Sequence, residues 1–525
     1  MKSFYILFVT LTLLTLGSCE KFLETEPSDF LAPSTYFNSE KELNNALTGV
    51  YDVLGSTALY GDYVFYQYDI TDEGVYGHAG VTNGVQVYNF ASSNTVIDAT
   101  WTTLYNGIGR ANLLLENIDK PEMNENKRDA IEGEALFLRA YYYFLLAQMW
   151  GDVPLILETT KSADDTQRPR TPLAQVYEQI LNDLKKAESL VLPITALNFS
   201  GRANKSAVRG MLARVCLHMA GYPLKDHSKY AEAKHWAAKV INDTEAGHAL
   251  NQSYEQVFIN LAADKYDIKE SLFEVEFWGN RSDAYTESGR LGTRNGIRCL
   301  NPDLGYSLGR INATPRFYQR FEEEDKRRDW NIAPFIYPSA NSVDPVYWAE
   351  SNLWQRSCGK YRRMYEVVKP QSTSFSPINY PIMRYADILL MFAEADNELT
   401  AIPSDSAVNF VNLVRRRGFG LDMTVPGIAD VSSGDRSSRL NFQAFLRDER
   451  SRELCFEGLR KGDLIRWEQF LSEMRAAASE IDLIAVSGYK FEARAGFNVS
   501  EKNYLFPIPS NEMSLNRMLK QNPGW

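Results

Sequence analysis

Apolar residues recur at steps of three and four through much of this chain, and the stretches where that rhythm breaks stand out against it. Ile131, Ala135, Leu138, Tyr142, Leu145 and Met149 mark one stripe of a helix over about 125–149, stopped by Gly151 and Pro154. Leu173, Val176, Ile180, Leu184, Ala187 and Val191 mark the next, with Thr171-Pro172 as its cap and first-turn proline. Further helices are predicted over 39–54 behind a Ser39 cap, and over 101–118, 205–220, 230–242, 382–399, 405–416, 441–456 and 460–477. Within 441–456, Arg447, Glu449, Arg450, Arg452 and Glu453 read as ion pairs on a solvated surface, each contributing little. The helices come in pairs at a spacing near that of tetratricopeptide repeats. Ala213, Ala233 and Ala237 supply the small residues that let paired helices approach.

Two stretches break the rhythm. In 55–100, Gly61, Gly74, Gly77, Gly80 and Gly84 alternate with Tyr60, Tyr63, Tyr66, Tyr68, Tyr76 and Tyr88. Long loops in compact domains are functional or disordered, and this aromatic content argues against disorder. In 271–380, Phe273, Val275 and Phe277 alternate with Glu274 and Glu276, which predicts a half-buried strand. Beyond it Trp278, Tyr285, Tyr306, Trp330, Tyr337, Tyr347, Trp348 and Trp354 follow no stripe. The closing segments 506–509 and 521–525 are irregular and apolar enough to be tucked against the body.

The start of the chain has another anatomy. Lys2 precedes an apolar run from Phe4 to Leu16, the pattern of a secretory signal, and that run is too short to span a bilayer. Leu16-Gly17-Ser18-Cys19 resembles the lipobox of bacterial lipoproteins, which implies removal of 1–18 and a diacylglycerol on the Cys19 sulfur. Residues 19–38 then form a tether and 39–525 the body. Hydrophobic residues make up 44% and charged residues 23%, the profile of a globular body. The net charge of -11 disfavours nucleic acid and anionic lipid. It suits a neutral ligand better than an anionic one unless a local basic pocket reverses the field.

Cys216, Cys299, Cys358 and Cys455 read as buried thiols, with a Cys299–Cys358 disulfide left open. The five histidines show no metal spacing, and no metal or cofactor is expected. Aromatic residues are 12% of the chain, with 29 tyrosines, and aromatic rings are natural platforms for sugar rings. No GxSxG elbow, Walker loop, HExxH or EF-hand loop is present.

Several segments, in order, carry a resemblance. They are Cys19-Glu20-Lys21-Phe22-Leu23-Glu24, Met211-Leu212-Ala213-Arg214-Val215, and Met383-Arg384-Tyr385-Ala386-Asp387-Ile388-Leu389-Leu390-Met391-Phe392-Ala393-Glu394-Ala395. Val411-Asn412-Leu413-Val414-Arg415-Arg416-Arg417 follows, then Arg450-Ser451-Arg452-Glu453-Leu454-Cys455-Phe456-Glu457-Gly458, Leu459-Arg460-Lys461-Gly462-Asp463-Leu464-Ile465-Arg466-Trp467 and the closing Pro-Ile-Pro and Gln-Asn-Pro-Gly segments. Together the chain resembles the RagB/SusD family of nutrient-binding outer-membrane lipoproteins. The resemblance implies a mostly α fold, with about four tetratricopeptide-like hairpins beside a loop-rich, partly β ligand face. It implies an oligosaccharide ligand, peptides in some relatives, and a SusC-like TonB-dependent outer-membrane barrel over which the protein sits as a lid. Thr71-Asp72-Glu73 resembles a short acidic motif near the family's ligand face.

A surface glycoside hydrolase, which needs only two well-placed carboxylates, is the alternative from another class. A peptide-binding scaffold is the third. A non-catalytic binder is the reading adopted. Ligand contacts are expected from 60–90 and 278–356, with Asp72, Tyr76, Tyr88, Tyr285, Arg294, Trp348 and Trp354 as candidates. The rings would stack on sugar faces, while Asp72 and Arg294 would bond hydroxyls from opposite sides.

Overall fold

A computed structural model describes residues 36–282 and 287–525 of the protein. The signal segment, Cys19 and the tether up to residue 35 lie outside them. Helix α1 (Glu40–Asp52) opens on Ser39, whose side chain accepts from the Glu42 N–H. A short helix α2 (Val64–Tyr68) follows within the first irregular stretch. Asn94 caps α3 (Thr95–Glu116) and Asn124 caps α4 (Glu125–Trp150), in each case satisfying N–H groups that the first turn leaves unpaired.

Helix α4 carries more than the single stripe its sequence suggests. The consecutive Tyr141, Tyr142 and Tyr143 are all buried, because α3 packs on one flank and α5 (Leu173–Leu190) on another. A helix apolar on all sides belongs in a core, and its phenols need partners there. Tyr142 donates to the Val50 carbonyl at 2.6 Å and Tyr143 to that of Ile156 at 2.8 Å.

The array continues through α6 (Lys205–Ala220) and α7 (Lys229–Ile241). Helix α8 (Tyr254–Ala262) and the second irregular stretch then intervene, and α10 (Tyr385–Leu399) docks back on α7. The array closes with α11 (Asp405–Phe419) and α12 (Arg439–Leu454), both packed on α10. These helices stack in succession, α3 on α4, α4 on α5, α6 on α7, α7 on α10 and α10 on α11, the helical, tetratricopeptide-like architecture expected. The C-terminal segment latches onto the end of α4: Trp150 Nε1 donates to Pro507 O at 2.8 Å, and Asn522 Nδ2 to Trp150 O at 3.1 Å.

Several local expectations are corrected. The N–H of Leu173 at the start of α5 is capped by Asp152 Oδ1 at 2.8 Å and not by Thr171, whose backbone is engaged with Val153. The strand β2 (Ser271–Val275) is buried along its whole length, Glu274 included, so it is not half-exposed. Its partner is β6 (Tyr380–Arg384), which occupies the place expected for the first turn of a helix at 382. Pairing of Met383 with Phe273 holds that segment extended, and the helix starts only at Tyr385. The helix expected over 460–477 is two, α13 (Arg460–Arg466) and α14 (Phe470–Ile484), separated at Glu468 with φ of 59°.

The charges on α12 are mostly buried, not solvated. Glu449, Arg450, Arg452 and Glu453 are each at most 5% exposed. Arg450 Nη1 donates to Asp387 Oδ1 at 2.8 Å, and Arg327 Nη1 to Glu449 Oε1 at 2.7 Å. Cys216, Cys299, Cys358 and Cys455 are buried free thiols, so Cys299 and Cys358 do not pair.

Candidate functional site

The two irregular stretches meet through backbone pairing. Strand β1 (Gly74–Tyr76) runs antiparallel to β3 (Ile311–Ala313), with Val75 opposite Asn312 and Tyr76 opposite Ile311. The ladder extends past both strands. Gly77 donates its N–H to Arg310 O at 2.8 Å, and Arg310 donates its own to Arg294 O at 2.8 Å. Tyr76, Arg310 and Arg294 therefore lie on three neighbouring backbone runs from 60–90 and 278–356. Gly77 is required by this closeness, since a Cβ there would stand 2.5 Å from Asn312 Nδ2.

Successive side chains of a strand point to opposite faces. Val75 turns inward onto Ala478, Ile481, Ala485 and Ala493, with Trp354 and Tyr489 packed against the same cluster. Tyr76 turns the other way, and its ring meets that of Tyr66 edge-on with centroids 5.6 Å apart. Both rings are half-buried at the surface. Below them Asp62 pairs with Arg290 Nη1 at 3.0 Å and Arg294 Nε at 3.4 Å. Burial pushes the Asp62 carboxyl above its ordinary value, against Arg294 and Arg290, which pull it down. Burial and the Asp62 charge raise the Tyr66 phenol, so it stays protonated and able to donate.

The arrangement offers two phenol rings and a guanidinium array around one buried acid. It can present ring faces to an apolar sugar surface and N–H and O–H donors to ligand oxygens. Among the described residues no group of three or more His, Cys, Asp or Glu side chains is placed to hold a metal ion. A separate cleft of about 670 Å³ is walled by Tyr51, Gly55, Phe199, Glu276 and Arg281. It adjoins this face through Phe375, whose ring lies under both Arg281 and Arg290.

The candidate residues do not all meet. Tyr76 and Arg294 are brought together as described. Trp354 packs behind β1, on the Val75 side. Trp348 follows β5 (Val346–Tyr347) of a hairpin with β4 (Phe335–Ile336), its backbone N–H donating to Pro334 O at 2.9 Å. It shares no hydrogen bond, ion pair or ring contact with Tyr76 or Arg294 among the described residues. Tyr285 lies outside the described residues.

Two candidates are corrected. Asp72 is fully buried, held by Arg460 Nη2 at 2.8 Å and Arg320 Nη2 at 2.5 Å. Burial alone would raise its carboxyl, but these two guanidiniums outweigh it and hold it well below the ordinary range. Arg320 follows α9 (Pro315–Gln319) and Arg460 opens α13, so Asp72 fastens the first irregular stretch to the body. Thr71 and Glu73 are buried beside it, and the short acidic motif is structural here. Tyr88 is buried as well, its hydroxyl donating to Ile70 O at 2.9 Å. The residues not anticipated are Asp62, Tyr66, Arg290 and Arg310. Tyr66 belongs to the aromatic run that marked the region, but nothing local in the sequence marks the other three.

Comparison with known proteins gives consistent matches. A family model described as "Starch-binding associating with outer membrane" matches residues 21–217, and one described as "SusD family" matches 269–525. The SusD-like protein P2 of Formosa agariphila is 28% identical across 100% of both chains. The starch-binding protein SusD of Bacteroides thetaiotaomicron is 22% identical over 75% of this chain and 72% of its own. A solved SusD homolog from Bacteroides thetaiotaomicron superposes with a TM-score of 0.86 at 29% identity, covering 94% of this chain and 98% of that one. A laminarin binding SusD-like protein shares the fold, with a TM-score of 0.72 at 24% identity over 93% of this chain and 100% of its own.

Proposed function

This chain belongs to the SusD/RagB family, and on that premise we propose that it captures oligosaccharides at the cell surface as a non-catalytic binding lipoprotein. The observation that carries the reading is the β1–β3 pairing. It unites two aromatic stretches of no helical period into one face, where Tyr66 and Tyr76 meet edge-on and Arg294 and Arg310 lie on the adjoining backbone runs. The relatives described as starch-binding and laminarin-binding support a carbohydrate over a peptide. The capture is followed by delivery to a SusC-like TonB-dependent barrel, for which this protein serves as the lid. The helical array gives a broad surface for that contact, of the size that stable assemblies need.

The test is a glycan array probed with the soluble chain beginning at Glu20, followed by calorimetry on its best hit. Binding without turnover is expected. Tyr76→Ala should weaken that binding roughly tenfold while leaving the thermal midpoint close to the parent's, because the ring is half-exposed. Unchanged affinity in Tyr76→Ala would remove this face from the reading, and turnover of the hit would favour the hydrolase alternative.

The anchor is the lipid on Cys19. No helix among the described residues is long and apolar enough to cross a membrane, and one acylated cysteine with two chains suffices for stable attachment. Cys19→Ala should leave a folded body but move it from the membrane fraction to the soluble fraction. Retention of that variant in membranes lacking the barrel would defeat the assignment.

A further inference from the structure

We propose that the glycan held at this face is anionic, a uronate- or sulfate-bearing oligosaccharide, with Arg294 and Arg310 as its charge contacts. The proposal rests on the reading of this face as a glycan site and adds the class of glycan. The chain as a whole carries a net charge of -11, yet this face brings Arg290, Arg294 and Arg310 together near Asp62 among the described residues. The local balance is thus opposite to the global one.

Arg310 is the telling residue. Its Nε is buried and makes no hydrogen bond. Among the described residues no carboxylate forms a salt bridge with its guanidinium, whereas half-buried Arg316 is met by both Glu473 and Glu480, and half-buried Arg447, also without a salt bridge, lies over the Trp467 ring. Arg310 is half-buried, and of its guanidinium only Nε is both buried and unbonded, so its terminal donors stay open to a ligand. Arg290 and Arg294 share one carboxylate between them, although each guanidinium has five N–H donors in a planar fork. Donors therefore remain for a bidentate acceptor such as a carboxylate or sulfate.

The approach to the face adds to this field. Arg298 is exposed, and its Cβ lies against Gly309, next to Arg310. Gly309 has φ of 54°, and a Cβ there would stand 2.8 Å from that of Arg298, so the backbone is shaped to bring the two segments together. Tyr66 and Tyr76 supply ring and hydroxyl contacts that any sugar can use. Only an anionic one also offsets the excess positive charge.

The experiment uses matched probes on the soluble chain beginning at Glu20. Oligogalacturonate is set against its methyl ester, and dextran sulfate against dextran, within an array that also carries neutral and acidic oligosaccharides of other backbones. Hits confined to acidic glycans are expected, and the matched pairs tell carboxylate from sulfate recognition. Arg310→Gln should weaken the acidic hit roughly ten- to a hundredfold, with Arg310→Lys recovering part of the loss. Raising salt should weaken the parent more than Arg310→Gln. Because Arg310 has no ion-pair partner to lose among the described residues, its variants should keep the parent's thermal midpoint. Hits on neutral glycans alone would overturn this proposal and leave the glycan reading standing. No hit on any glycan would overturn both. Acidic binding untouched by Arg310→Gln and Arg294→Gln would place the charge contacts elsewhere and overturn the assignment.

Discussion

Glu453→Gln is expected to destabilise the protein by roughly 3–5 kcal/mol, because it breaks a buried ion network at its centre. Glu453 Oε1 accepts from Arg417 Nη2 at 2.6 Å and Arg384 Nη1 at 3.0 Å, and its Oε2 accepts from Arg327 Nη1 at 3.1 Å. The four side chains are no more than 1% exposed. Around them Asp325 and Glu449 hold Arg327, Glu270 holds Arg417, and Glu457 and Glu270 hold Arg384. Lys360 joins through Glu457 at 2.6 Å.

In this interior each charge is tolerated because its neighbours compensate it. Glutamine keeps the shape of Glu453 but removes the one carboxylate that all three guanidiniums share, and it turns amide N–H donors towards guanidinium donors. The network matters for function because of what it connects. Arg384 ends β6 just before α10, Arg417 lies in the last turn of α11, Glu449 and Glu453 lie on α12, and Arg327 and Lys360 come from the second irregular stretch. Breaking it is expected to loosen the candidate face from the helical array. A urea-midpoint comparison checks this, with Glu158→Gln as control, since the Lys161–Glu158 pair is about two-thirds exposed on both sides and such pairs contribute about 0–1 kcal/mol. A Glu453→Gln midpoint indistinguishable from the control would refute the account.

The same network shows where sequence reading stops. Arg450-Ser451-Arg452-Glu453 looks like a solvated helix face, because charge alternating over a few residues is what solvated faces show. Its burial is fixed by Glu270, Arg327, Arg384 and Arg417, which no local pattern connects to it. Asp72 misleads for the same reason, its partners Arg320 and Arg460 being 248 and 388 residues away. By contrast the long helices were legible, since their stripes are local and their caps adjacent. The two stretches of the candidate face were legible, because aromatic density without period survives any register, and β1–β3 brings them together. Which residues surface was not, because β1–β3 pairing decides that Tyr76 turns out and Val75 turns in. The net acidity of the chain pointed to a neutral ligand, and only the fold gathers the arginines on which the proposal of an anionic one rests.

Stability is expected to peak near pH 5, falling steeply below pH 4 and more gently towards pH 8. Two sets of buried carboxyls pull in opposite directions. Asp72, Glu449, Asp463, Asp387 and Glu457 would be raised by burial, but the cations facing them outweigh it and hold them below their ordinary values. A carboxyl depressed in the folded state contributes stability that is present above its unfolded value, about 4, and is lost as the pH falls through the folded one. Below pH 4 the unfolded chain takes up protons that these five resist, which drives acid unfolding.

Asp69 and Glu492 are pushed up to about 8 and Glu274 to about 7, in each case by burial first. A raised carboxyl works in reverse: its stability is present below about 4 and is lost as the pH rises through 7 to 8. His218, buried and lowered to about 3, opposes this by one proton between pH 6.5 and 3, so the three carboxyls still prevail over that interval. Urea midpoints measured from pH 3 to pH 9 test the whole profile. Glu492→Gln should flatten the neutral limb by one proton, about 1.4 kcal/mol per pH unit where only the folded form is protonated. Asn312 Nδ2 donates to Glu492 Oε1 at 2.8 Å behind Gly77, so ionisation of Glu492 at alkaline pH puts a charge next to the strand that carries Tyr76. A profile that is flat from pH 5 to pH 8, or highest at pH 8, would mean that these buried carboxyls are ionised in the folded protein, and the stated cause of the neutral limb would be wrong.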